Sequence, residues 1–103
     1  MQVFTIETIP GKTYNPLGTV IGNIVRTKHI GRDIMAGLKS LVGGEVVGYT
    51  ELLTEARTIA TERMVAEAQK MGADAIVGVS YITCDVMSGA SEVTAYGTAV
   101  KIN

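Results

Sequence analysis

The stretch from Val42 to Val79 constrains this chain most. A glycine pair, Gly43-Gly44, leads through Tyr49 into a long amphipathic segment that stops at Gly72-Ala73-Asp74-Ala75 and passes at once into an apolar strand. From Thr50 to Met71, the residues Leu52, Leu53, Ala56, Ile59, Ala60, Met64, Ala68 and Met71 recur at helical spacing. Glu51, Glu55, Thr58, Glu62 and Gln69 lie opposite, so the helix must lay one stripe on another layer. Thr50 is the expected N-cap. The alanines at 56, 60, 66 and 68 predict a close approach to a sheet. The pairs Arg63 to Glu67 and Glu67 to Lys70 each add only ~0.2–0.5 kcal/mol, so packing holds the helix.

The remaining elements follow from local pattern. Val3 to Thr8 alternates Phe4 and Ile6 with Thr5 and Glu7, which predicts a short strand ended by Pro10-Gly11, and Lys12 to Pro16 reads as loop. The β-branched run Leu17 to Lys28 predicts a second strand, in which Gly18 and Gly22 signal a bulge or a close backbone approach. Gly31 to Leu41 carries Ile34, Met35, Leu38, Leu41 and then Val42 at helical spacing, with Asp33 in its first turn and Gly43-Gly44 as its stop. Ala75 to Val86 and Glu92 to Ile102 read as the last two strands, joined by turn residues Met87 to Ser91. The predicted order is β-β-α-α-β-β in a single domain over residues 1–103. It makes a two-layer α+β fold whose antiparallel or mixed sheet carries helices on one face.

That sheet has a second face. Ile76, Val77 and Val79 are apolar on both sides of their strand, so Val77, Val79 or their alternates would form an exposed patch unless something covers them. Charged residues make up only 18% of the 103-residue chain, below the usual ~25%. A ring or stack of identical copies is the simplest cover. The formal charge of -1 gives no field that would draw nucleic acid or an anionic membrane, so neither is an expected partner. The start Met1-Gln2-Val3-Phe4-Thr5 lacks a basic, apolar leader, and a cytoplasmic location is expected.

Chemistry-bearing residues are few. Gly18, Gly22 and Gly31 form no phosphate-loop spacing, and the chain shows no GxSxG, HExxH or Ser-His-Asp pattern. An enzyme is therefore unsupported, and its one remaining form is hydrolase or transferase chemistry at an intersubunit cleft with Arg57, Glu45 and Tyr49. The single cysteine, Cys84, the single histidine, His29, and Asp85 beside the cysteine are the candidate metal donors, but a closed site needs about four ligands. No local spacing supplies them within one chain, although a ring can repeat one side chain around its axis. Met35, Met64 and Met71 fall on apolar stripes and read as core, whereas Met87 sits in the expected turn. Arg57 adjoins the apolar stripe and needs a partner, with Glu45, Asp74 and Glu7 as candidates. Arg57 with Glu45 and Tyr49 makes a candidate ligand-binding set, most simply an ion pair at the Gly43-Gly44 turn, or else an anion site between subunits. Asp74 is expected to tie down its own turn.

Several short runs together resemble a known family: Arg32-Asp33, Ala36-Gly37, Val42-Gly43-Gly44, Tyr49, Ala56-Arg57, Ile59-Ala60, Gly72-Ala73-Asp74-Ala75, Val77-Gly78 and Gly97-Thr98-Ala99-Val100. In this order they are similar to the YbjQ-like family, small bacterial and archaeal proteins often labelled heavy-metal-binding. The resemblance implies a dodecin-like α+β subunit, a homopentamer, and a soft divalent or monovalent metal or another small ligand where subunits meet. It does not tie that metal to a cysteine at position 84, and it implies no reaction. A ring that only displays a surface to another protein is the other reading.

Overall fold

The computed structural model describes residues 1–27, 41–42, 45–87 and 89–103, with side chains described for all of these except 41–49. The elements are β1 (Gln2–Val3), β2 (Tyr14–Thr27), β3 (Leu41–Val42), β4 (Glu45–Val46), α1 (Val47–Lys70), β5 (Ala75–Met87) and β6 (Ala90–Ile102). Strands β1, β5, β6 and β2 form a mixed sheet in that spatial order, with β1 parallel to β5 and the other neighbours antiparallel. The short β3 and β4 pair separately. Among the described residues the fold is therefore a small α+β domain with a four-stranded mixed sheet and one helix. The expected order β-β-α-α-β-β is not the observed one: Leu41 and Val42, expected at the end of the first helix, form β3, because their backbones pair with Val46 and Glu45. Residues 28–40, with the rest of that expected helix, lie outside the described residues, as do Gly43 and Gly44.

Helix α1 begins three residues before the expected Thr50, which is thus its fourth residue and not its N-cap. It buries a narrow line, Ala56, Ala60, Met64 and Ala68, each fully buried, against Val20, Ile76, Val79, Val93, Ala95 and Ala99 of the sheet. Ala66 is exposed, on the opposite side of the helix from that line. The helix lies so close to β2 that a Cβ built on Gly22 falls 2.1 Å from the Ala60 carbonyl oxygen and 2.3 Å from the Met64 nitrogen. Gly22 is thus the close approach its position in a β-branched strand predicts. The register shift between Pro16 and Gly18 supplies the bulge. Arg63 passes over Glu67 and instead donates from Nη1 to the Asn23 carbonyl of β2 at 2.7 Å, while Lys70 pairs with Glu67 at 3.1 Å.

The helix ends where expected. The Ala73 N–H donates to the Ala68 carbonyl and the Gly72 N–H to that of Gln69, with Gly72 at φ +77°, the conformation a glycine cap supplies without Cβ strain. Asp74 does not tie its own turn. Its Oδ2 accepts from the Ile102 N–H at 2.8 Å and its Oδ1 from Lys101 Nζ at 3.3 Å, which joins the helix exit to the end of β6. The Ile102 N–H, and then the hydrogen bond and charge of Lys101, hold its carboxyl below the usual aspartate range against the opposing effect of partial burial.

Residues 4–8 do not continue β1 as a regular strand. They bend across the end of the sheet, held by the Gly78 N–H on the Ile6 carbonyl and the Val79 N–H on that of Phe4. This places Ile9 in a second small core with Ala75, Val77 and Val100, flanked by Phe4, Tyr14 and Ile102. Strand β2 starts at Tyr14, so residues 14–16, expected as loop, pair with β6.

Candidate functional site

Side chains alternate across a strand, so the pairing register sorts the sheet into two faces. Val20, Gly22, Ile24, Val93 and Ala95 face α1, as does Tyr81, whose hydroxyl lies 3.0 Å from Thr61 Oγ1. The other face carries Thr19, Ile21, Asn23 and Val25 of β2, Glu92, Thr94, Tyr96 and Thr98 of β6, and Ser80, Ile82 and Cys84 of β5. The N-terminal segment covers one end of it through Ile9. Among the described residues nothing covers the rest, and Ile21, Val25 and Ile82 are 55%, 50% and 50% exposed. Of the residues expected to be bare without cover, which were Val77, Val79 or their alternates, Val77 and Val79 are both buried. Val77 lies under the N-terminal segment, and the bulge at Gly78 turns Val79 to the helix side.

Two strand edges flank this bare face. β2 is the outermost strand on one side, and on the other β1 and the segment after it reach along β5 only as far as Val79, which leaves the outer edge of Ser80 to Met87 unpaired among the described residues. Such an edge is a row of unsatisfied N–H and C=O groups able to pair with another chain.

Where the covering segment ends, a cavity of 290 Å³ opens on the same face, lined by Glu7, Tyr14, Pro16, Val77, Gly78 and Thr98. Its rim is built by the fold. The Tyr14 hydroxyl donates to the Glu7 carbonyl and the Gly78 N–H to that of Ile6, so residues 6 and 7 are clamped from two strands. Gly78 takes φ +62° at the bulge, with Glu7 Cγ 3.8 Å from where its Cβ would stand. As a site residue Glu7 entered the sequence reading only as a candidate partner for Arg57, Tyr14 was placed in a loop, and Thr98 appeared only within the family-resembling run Gly97-Thr98-Ala99-Val100. No local pattern marks them as one site, because Thr98 lies far in sequence from Glu7 and Tyr14.

The expected metal donors do not converge. Cys84 is exposed on the bare face opposite Glu92, whereas Asp85, next along the strand, points to the helix face and accepts from Ser91 Oγ at 3.0 Å. Adjacent strand residues cannot close on one ion from opposite faces. His29 lies outside the described residues, and among these no group of three or more His, Cys, Asp or Glu side chains surrounds a common point. The described donors of one chain thus do not fit a closed soft-metal site, which needs about four ligands. Met87 is the last residue of β5 and is 67% exposed.

Arg57 is exposed on α1 and donates from Nη2 to Thr54 Oγ1 at 3.2 Å. Two of its expected partners are elsewhere: Asp74 is engaged with the end of β6, and Glu7 sits across the sheet. The side chains of Glu45 and Tyr49 lie outside the described residues. A different arginine is engaged with the helix: Arg26 of β2 pairs through Nη2 with Glu55 of α1.

Comparison with known proteins agrees with the sequence resemblance. The chain is 61% identical over 99 residues to a UPF0145 protein of Psychromonas ingrahamii, covering 95% of this chain and 94% of that one. It is 57% identical over 102 residues to one of Helicobacter hepaticus, covering 99% and 98%. It is 56% identical over 103 residues to one of Thermotoga maritima, covering 99% and 97%. The fold resembles the crystal structure of a protein with unknown function from Pediococcus pentosaceus, with a TM-score of 0.74 at 18% identity, over 100% of this chain and 98% of that one. Among the described residues no helix is long and apolar enough to cross a membrane. The family model described as "Putative heavy-metal-binding" matches residues 1–103 from end to end, and the chain belongs to that family, the YbjQ family.

Proposed function

We propose that this chain is the subunit of a homo-oligomeric binding protein, in which copies join through their free strand edges and turn the bare sheet face inward. The carrying observation is the uncovered sheet face, on which Ile21, Val25 and Ile82 are each half-exposed between two unpaired edges. β2 and β5 both run antiparallel to β6 and hence parallel to each other. Head-to-tail pairing of β5 in one copy with β2 in the next keeps every copy in the same orientation about an axis, the kind of contact that makes a ring when the rotation per copy closes and an open filament when it does not. The family resemblance supports five copies and a dodecin-like subunit. The lone cysteine, which leaves no intramolecular disulfide, supports a cytoplasmic setting.

In such a ring the ligand is held in the enclosed space, into which the cavity beside Glu7 opens. A soft metal is bound there only if copies of Cys84 share it around the axis, since one chain's described residues do not supply the donors. Light scattering on the full chain at micromolar concentration tests the assembly. The expected mass is a whole multiple of the 10.9 kDa of one chain, five-fold for a pentamer. Ile82→Glu, which puts a charge on the bare face, is expected to lower that mass. A wild-type chain that stays a monomer under these conditions refutes the proposal.

A further inference from the structure

We infer that the cavity lined by Glu7, Tyr14 and Thr98 is a binding site for a small organic cation, a primary ammonium on a short aliphatic chain. This rests on the preceding reading only for where the cavity opens, since every lining residue belongs to one chain. The 290 Å³ volume lies at the lower limit of small-molecule sites, ~300–1,000 Å³, so the ligand is small.

The lining chemistry sets its class. Glu7 is the one charged side chain there, and among the described residues no cation pairs with it. The Tyr14 hydroxyl has given its hydrogen to the Glu7 carbonyl, which leaves its oxygen as an acceptor, and Thr98 adds a second hydroxyl oxygen. An alkylammonium has three N–H donors for these acceptors and a hydrocarbon tail for Val77 and Pro16. An anion meets an uncompensated carboxylate. A metal ion fares no better: one carboxylate and two neutral oxygens fall well short of the six to eight oxygens calcium takes, and no thiolate or imidazole is present for a soft ion. The clamp on residues 6 and 7 fixes the backbone that carries Glu7 before binding, so no main-chain ordering there opposes association.

The test is a titration of the full chain with n-butylammonium, followed by amide chemical shifts in nuclear magnetic resonance, with n-butanol as the neutral analogue. Saturable shifts at Glu7, Gly78 and Thr98 are expected with n-butylammonium, at a dissociation constant on the order of 1 mM, and none with n-butanol. Glu7→Gln is expected to weaken binding about tenfold or more, and Thr98→Val several-fold. Equal response to alcohol and amine, unchanged binding by Glu7→Gln, or no saturation by about 50 mM amine each overturns the inference. The wild-type comparison of amine with alcohol stands even if a variant fails to fold. Light scattering on the same samples separates this outcome from the assembly: a monomer that binds the amine defeats only the ring, and a ring that ignores the amine defeats only this site.

Discussion

Gly22→Ala is the perturbation with the most definite consequence. The added methyl falls 2.1 Å from the Ala60 carbonyl oxygen, 2.3 Å from the Met64 nitrogen and 2.9 Å from the Arg63 carbonyl carbon. All three are backbone atoms of α1, so no side-chain rotation relieves the overlap, and the helix must retreat from β2 by roughly 1 Å. A gap of that size forfeits a quarter to a half of each dispersion contact along the seam of Ala56, Ala60 and Met64. Overpacking a tight contact costs ~1–3 kcal/mol, and a backbone clash with no soft neighbour belongs at the top of that range, about 3 kcal/mol. For a chain of this size the expected fall in Tm is roughly 12–24 °C. Urea unfolding followed by circular dichroism, with wild type and variant at equal protein concentration because association raises apparent stability, measures it. Asn23→Ala, the next residue along on the opposite face, is the control and is expected to change stability by less than about 0.5 kcal/mol. A loss below about 1 kcal/mol for Gly22→Ala, with native dichroism retained, refutes the close seam.

Three further outcomes follow from the helix and its exit. Met64→Ala empties a fully buried position in the main core and is expected to cost ~2–5 kcal/mol, read from the same urea curves. Gly72→Ala forces a Cβ into a positive-φ cap and is expected to cost about 1 kcal/mol, with a local gain in amide exchange at Gly72 and Ala73 as its signature. Asp74 has a folded pKa below its unfolded value, so its contribution is present above the ordinary aspartate value of ~3.9 and disappears as the pH falls through the lowered value. Asp74→Asn is therefore expected to flatten the acid side of the stability–pH curve. An unchanged acid limb contradicts the assigned hydrogen bond from Ile102.

The helix, its Gly72 stop and the close approach at Gly22 were legible in the chain because each is a local statement. A 3.6-residue apolar period, a positive-φ cap and a glycine inside a β-branched strand all show within a few residues of sequence. The start of α1 was less legible, since a threonine suited to capping stands three residues inside the helix. The pair Cys84 and Asp85 looked like neighbours in sequence, yet the strand turns one to each face.

By itself, then, the sequence determined the elements around Gly22 and from Thr50 onward, the apolar strand that needs cover on both faces, and the family. Only the tertiary structure decided which apolar residues remain bare and where polar groups converge. Both depend on pairing between distant segments: Gln2–Val3 docks beside Ala75–Ile76 and carries Ile9 over Val77. The bulge at Gly78 turns Val79 inward and leaves Ile82 and Cys84 on the open face. The same docking brings Glu7 to Tyr14 and Thr98. Apart from that of Glu7 with Tyr14, seven residues on, these contacts come from chain closure and burial rather than from local propensity, so no window of the sequence contains them.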